Sequence, residues 1–113
     1  MVDSRWVPRR GEIIHLDDID HAGHEQKGDR PHLVLTQQGY NDKIGLVVCV
    51  PVTSKRRGFP FEVPLQDRNA ASVALTHQVL TADWRARKAF SRGFSTDDEM
   101  LEVEAKVRAL LSL

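Results

Sequence analysis

Residues 45–53 constrain the fold more than any other part of the chain. They read Gly-Leu-Val-Val-Cys-Val-Pro-Val-Thr, the most apolar run present, and β-branched side chains dominate it. Branching at Cβ is crowded in a helix and well accommodated on a pleated surface, so the run predicts a β-strand. Pro51 lacks a backbone N–H, which asks for an edge, a bulge or a strand end at that point. No apolar run approaches the roughly 20 residues that span a bilayer.

Several other segments carry the same signature. Residues 12–16 are short and apolar and follow Gly11; residues 32–36 begin directly after Pro31, whose fixed φ suits the first position of a strand. Residues 61–65 alternate as a half-buried strand does, and residues 71–81 form a further strand region. Asn41, Asp42 and Lys43 predict a turn between the second and third strands. The period changes near the end. Thr96 and Glu99 have capping-box spacing, and Met100, Val103, Val107, Leu110 and Leu111 then fall on one helical face. Asp97, Asp98 and Glu99 crowd the first turn while Lys106 and Arg108 lie further on, as the helix dipole prefers. Residues 83–90 are compatible with a second short helix. The expected fold is mainly β: a small, strongly twisted antiparallel sheet or barrel closed or covered by a C-terminal helix.

With 113 residues, no internal repeat and no Gly-, Pro- or Ser-rich linker, residues 1–113 form one expected domain. A 41% hydrophobic and 28% charged composition excludes a disordered chain. The lone cysteine, Cys49, cannot form an internal disulfide, and its place in an apolar run makes it a core residue rather than a nucleophile. The first residues lack an apolar signal core, so the expected location is cytoplasmic and no membrane association is expected. No G-x-S-x-G elbow supports a serine hydrolase.

The 16 basic and 16 acidic residues cancel, which argues against a general nucleic-acid coat protein. They are nevertheless segregated. Residues 27–92 hold eleven basic against five acidic side chains, a local +6, and the acidic excess includes Asp97, Asp98, Glu99, Glu102 and Glu104. A basic middle on a neutral body suits a local anion-binding face. Residues 17–29 have no apolar periodicity and carry Asp17, Asp18, Asp20, His21, His24, Glu25 and Asp29. So long a loop in so small a domain suits a lid or a partner-docking surface. Its His and carboxylate spacing matches no metal motif, and no metal or cofactor is expected.

Arg30 stands where this loop meets the strand at Pro31, and Thr53 ends the apolar run just before Ser54, Lys55, Arg56, Arg57 and Gly58. A guanidinium offers five donors in a fixed fork and stays charged; hydroxyls and a basic turn at a strand end suit a phosphodiester. The same residues also suit an ordinary surface Arg and a strand-ending Thr.

The order of short motifs narrows this. Trp6-Val7-Pro8 to Gly11-Glu12-Ile13-Ile14, then Gly23-His24-Glu25-Gln26 to Arg30-Pro31-His32-Leu33-Val34-Leu35, resembles the opening of the MazF/PemK toxins. The likeness continues through Tyr40-Asn41, Cys49-Val50-Pro51-Val52-Thr53-Ser54, Gly58-Phe59-Pro60-Phe61-Glu62-Val63, Ala74-Leu75-Thr76-His77-Gln78-Val79 and Asp83-Trp84-Arg85-Ala86-Arg87. The resemblance implies an SH3-like small barrel of the CcdB/PemK type with a C-terminal helix. It implies a homodimeric endoribonuclease toxin that cuts single-stranded RNA, chiefly messenger RNA, at short motifs without metal. A cognate MazE-like antitoxin would neutralise it, expected to be acidic and disordered until bound.

The family's key Arg falls on Arg30, its strand-end Thr on Thr53 and its loop Glu on Glu25. The implied reaction is attack of the 2′-OH on the adjacent phosphorus, leaving a 2′,3′-cyclic phosphate and a 5′-OH. Arg30 would neutralise the phosphorane and Thr53 would donate to a non-bridging oxygen. Arginine, with a pKa above about 12, is a poor base, so Glu25 or a water is the expected proton acceptor and His24 or His32 the alternative. RNA would be gripped by Lys55, Arg56, Arg57, Arg85 and Arg87, with Trp84 and Gln78 stacking on or reading an unpaired base; Trp84 equally suits a core and Gln78 a strand surface.

Three positions depart from the family pattern: Asp29 before Arg30, His15 where relatives often carry an aromatic residue, and Arg9-Arg10 in place of a commonly acidic stretch. A CcdB-like toxin that binds DNA gyrase is the rival within the same fold, but that family uses a tryptophan near the end of its last helix, where this chain has none. A catalytically silent RNA-binding homologue is the third reading.

Overall fold

The computed structural model describes residues 5–18, 30–66 and 71–113. Within them the chain runs β1 (Glu12–Leu16), β2 (Arg30–Val34), α1 (Gln38–Ile44), β3 (Leu46–Thr53), β4 (Glu62–Gln66), β5 (Ala71–Leu75), β6 (Leu80–Asp83), β7 (Phe90–Phe94) and α2 (Asp97–Leu111). The strands pair antiparallel in the order β4-β5-β3-β2-β1-β7, and β6 also lies on β3. This is the expected mainly-β fold with a helix at its end. No helix among the described residues is long and apolar enough to cross a membrane.

β3 organises the sheet because both its faces are buried. Val47 and Cys49 pack with Ile14, Leu16, Val34 and Trp84 on one side. Val50 and Val52 pack with Leu33, Val63, Met100 and Val103 on the other, under α2. Strand periodicity sends neighbouring residues to opposite faces, so a continuous apolar run is what such a strand requires. One edge of β3 takes β2; the other takes β6 along residues 46–49 and β5 at Val52 and Thr53. Pro51 stands where the partner changes, and a missing N–H is tolerated there.

The same partner change corrects the single strand region expected over residues 71–81. Cys49 and Val52 are three residues apart, whereas their partners Leu80 and Ala74 are six apart. The surplus residues leave the sheet as an outward excursion through His77, Gln78 and Val79, all exposed. The Gln78 N–H donates to the Leu75 carbonyl at 3.1 Å to close it.

Two further expectations are corrected. Residues 41–43 lie in helix α1 rather than in a turn. Asn41 is fully buried and spends its side chain on the neighbouring chain: Nδ2 donates to the Pro8 and Thr36 carbonyls at 2.8 and 3.1 Å, and Oδ1 accepts from Thr36 Oγ1 at 2.6 Å. Those tertiary bonds, not local turn chemistry, decide its conformation. Gly45 ends α1 at φ +80°, where a side chain would be strained. Residues 84–88 form turns rather than a second short helix, and residues 90–94 form a strand that pairs with β1.

In α2 both halves of the capping box form: Thr96 Oγ1 accepts from the Glu99 N–H at 3.1 Å and Glu99 Oε1 accepts from the Thr96 N–H at 2.8 Å. Met100 and Val103 are buried and Val107 packs partly, while Leu110 and Leu111 remain exposed. The predicted apolar face is therefore covered over its first half only.

Candidate functional site

Sheet register brings the two principal candidates together. β2 pairs with β3 as His32 with Pro51 and Leu33 with Val50, and just beyond that pairing lie Arg30, the first residue of β2, and Thr53, the last of β3. On its other side Arg30 faces Leu16 of β1. Arg30 is half-buried, and its Nε is enclosed without a hydrogen-bond partner among the described residues. Nearly all buried donors in folded proteins are paired, so an orphan on a guanidinium marks a group held for something else. Thr53 Oγ1 accepts from the Lys55 N–H at 3.2 Å, which leaves the hydroxyl's own proton free to donate.

Thr53 opens into a cleft of about 170 Å³ that also holds Lys55, Arg57, Phe61, His77 and Gln78. The basic loop after β3 is tied down. Glu62 accepts the backbone N–H groups of Arg57 and Gly58 at about 3.0 Å, and Gly58 takes φ +74° to allow it. Phe61 stacks obliquely on the His77 ring with centroids 3.7 Å apart, and Phe59 lies 5.1 Å from Phe61. The Gln78 side-chain amide nitrogen lies 3.3 Å from His77 Nε2, so an Nε2 that carries no proton accepts from it. Two cations, a free hydroxyl and an aromatic floor can hold a phosphodiester with a flat base beside it.

Of the other predicted residues, Arg56 is exposed on the same loop but does not line the cleft. Arg87 Nε donates to the Asp17 carbonyl at 2.8 Å, fastening the end of the 17–29 segment. Arg85 lies 4.1 Å above the Trp84 ring and 3.5 Å from Asp42. Glu25, with His24 and Asp29, lies outside the described residues.

Two expectations change. Trp84 is not a platform for a base: it is 4% exposed, packs edge-on against Trp6 and donates its indole N–H to the Asn41 carbonyl at 2.8 Å. Its burial in the core beneath β3 leaves no face for a ligand. His32 is not a base. Burial pushes its pKa down to about 4, helped by the charges of Arg87 and Arg30, and its Nδ1 bonds the Arg30 carbonyl at 3.0 Å. Cys49, as expected, is a core thiol, pushed up to about 12 by burial. What sequence reasoning missed is the cleft's floor. Phe59, Phe61 and His77 stood in quoted motifs, yet only the excursion between β5 and β6 brings His77 to Phe61.

Comparison with known proteins matches residues 9–111 to the family model of the PemK-like, MazF-like toxins of type II toxin–antitoxin systems. The endoribonuclease toxin MazF of Escherichia coli strain K12 is 41% identical over 108 residues, which are 96% of this chain and 97% of that one. The crystal structure of MazF from Deinococcus radiodurans is 38% identical and superposes with a TM-score of 0.87, covering 96% of this chain and 99% of that one. A MazE–MazF crystal structure from the same organism is also similar, at 38% identity and a TM-score of 0.86, over 96% and 98% of the two chains.

Proposed function

The chain belongs to the PemK-like, MazF-like toxins of type II toxin–antitoxin systems, and from that premise we propose that it is a sequence-specific endoribonuclease whose phosphate site is Arg30 with Thr53. The observation that carries this reading is the enclosed Nε of Arg30, unpartnered among the described residues, at the end of β2 that adjoins the Thr53 end of β3, where the threonine hydroxyl accepts from the Lys55 N–H and keeps its own proton.

The chemistry asks little beyond these groups. The RNA carries its own nucleophile, the 2′-OH, so the protein must align it with the phosphorus and stabilise the charge that builds on the phosphoryl oxygens. Arg30 supplies fixed positive charge and Thr53 a donor to a non-bridging oxygen. The products are a 2′,3′-cyclic phosphate and a 5′-OH, and the route consumes neither water nor metal. Lys55 and Arg57 hold flanking phosphates, with Arg56, Arg85 and Arg87 adding to the positive field; Gln78 reads a base edge. The Deinococcus MazF relative was crystallised with MazE. By the same logic an acidic antitoxin segment neutralises this chain by laying carboxylates across the basic face. The exposed Leu101, Leu110 and Leu113 of the terminal segment suit a homodimer acting in the cytoplasm.

The test is a digest of a long unstructured RNA in EDTA, with wild type beside Arg30→Ala and Thr53→Ala and the cut ends mapped. Discrete cuts with 5′-OH ends, reduced about 10³-fold or more by Arg30→Ala and about 10²-fold by Thr53→Ala, are expected. An intact RNA with folded, antitoxin-free wild type would sink the assignment and bring gyrase binding forward.

A further inference from the structure

Arg30 and Thr53 alone give the 2′-hydroxyl proton nowhere to go, and Glu25 lies outside the described residues. An arginine cannot serve at neutral pH, and Thr53 is a donor. Among the described residues, the carboxylates and imidazoles near the site are mostly committed elsewhere. Glu62 holds the Arg57 and Gly58 amides. His32 is buried against the Arg30 carbonyl. His15 pairs with Asp17 at 2.6 Å and stacks on Phe90, and it lines no part of the cleft.

His77 differs from all of these. It is exposed, it shares the cleft with Thr53, and its ring is held against Phe61. Its Nε2 faces the Gln78 side-chain amide at 3.3 Å, and a substrate hydroxyl can take the place of that amide. The sheet explains its position. The residues that exceed the β3 register between β5 and β6 carry His77 outward beside the strand end that bears Thr53.

We propose that His77 is the proton acceptor of the cleavage reaction. The inference rests on the ribonuclease reading. As O2′ bonds to phosphorus, its proton passes to His77 Nε2; the P–O5′ bond breaks, and the departing O5′ takes a proton from water. His77 then returns its proton to solvent, so the RNA is rearranged and nothing else is consumed. Imidazole is suited to this because it ordinarily titrates near neutrality and can accept and release a proton within each turnover. Among the described residues, the charged groups that line the cleft with the ring are Lys55 and Arg57 from the loop and Glu62 from β4. That carboxylate is occupied by the Arg57 and Gly58 backbone amides.

The experiment measures single-turnover cleavage in EDTA of a short RNA carrying the wild-type motif, from about pH 5 to pH 9. Wild type, His77→Ala, His77→Phe and Glu25→Gln are compared. The wild-type rate falls as the pH drops and the imidazole takes up its proton. His77→Ala is expected to lose about 10²- to 10³-fold, to lose that acid limb, and to recover part of the rate when free imidazole is added. RNA affinity and the cleavage motif stay close to wild type in His77→Phe, which keeps a ring in the cleft floor. His77→Phe, which keeps a ring against Phe61, is expected to be as slow as His77→Ala. A fast His77→Phe variant would make the residue a stacking platform and overturn the proposal. So would an acid limb that survives in His77→Ala, or one abolished by Glu25→Gln instead. If wild type cuts no RNA at any pH, the ribonuclease reading fails and the inference falls with it; cutting with an unaltered profile in His77→Ala removes the inference alone.

Discussion

The two ends of β3 use the same kinds of polar group for opposite purposes. At the Leu46 end, α1 and Trp84 close over the sheet and the polar groups are paired. Asn41 makes three side-chain bonds, its carbonyl accepts from the Trp84 indole, and Gly45 caps the helix on that carbonyl. At the Thr53 end, the Arg30 Nε has no partner among the described residues, the Thr53 hydroxyl keeps its proton, and Lys55 and Arg57 stand in an open cleft. The bonds left unmade at the Thr53 end fit the proposed RNA ligand, which would complete them. Stability should depend on the first end and activity on the second.

The largest expected effect tests that division directly. Arg30→Ala should cost about 4 kcal/mol in the barrier to RNA cleavage, while changing the unfolding free energy by only about 1 kcal/mol or less. The buried Nε bonds to none of the described residues, so its removal forfeits little there. Urea unfolding beside cleavage rates separates the two numbers, and a strongly destabilised Arg30→Ala would break the comparison. Asn41→Ala should behave in the reverse way. It removes three bonds at a fully buried site and leaves the Thr36 hydroxyl and the Pro8 carbonyl short of partners, at about 3 kcal/mol of stability. Cleavage per folded molecule should be unchanged.

A pH-dependent test comes next in size. His32 has a folded pKa of about 4, below the ordinary 6.5 of the unfolded chain. As the pH falls, the unfolded state binds the proton first, so this residue makes the fold less stable through the window from about 6.5 down to 4. Stability is unaffected above that window. The loss approaches about 3 kcal/mol at its lower end, and His32→Gln should flatten the slope of unfolding free energy against pH there. The rate's acid limb, assigned to His77, should survive in His32→Gln, because the two imidazoles answer to different equilibria.

How far this division could be read from the sequence depends on what each residue needs. The strand over residues 46–53 was legible from β-branched composition, and α2 from its capping box, because both signals are local. Arg30 and Thr53 are candidates because of the motifs around them, and the structure places both at strand ends. Asn41 was misread because a buried asparagine bonded to Pro8 and Thr36 looks, in sequence, like the opening of a turn. Trp84 was misassigned for a related reason: neighbouring arginines suggest a nucleic-acid surface, whereas only tertiary packing shows that the ring is enclosed and Arg85 lies over it. His77 was passed over because its place depends on a register difference between two strand pairs, which no local pattern expresses.

The smallest effect argued is also the one that most sharply divides the two ends. Trp84→Phe keeps an aromatic ring in the core but removes the indole N–H that meets the Asn41 carbonyl. That carbonyl still accepts from the Gly45 N–H at 3.1 Å, so no buried acceptor is orphaned and the loss should be about 1 kcal/mol, with a modest addition for the smaller ring. Cleavage rate and motif should match wild type once the fraction folded is taken into account. If Trp84 stacked on a base, the same substitution would weaken RNA binding by up to about 1–3 kcal/mol. RNA affinity would then fall more than stability. A Trp84→Phe variant that melts lower but binds and cuts normally therefore places the tryptophan with the bonded end of β3; the opposite pattern would move it to the cleft.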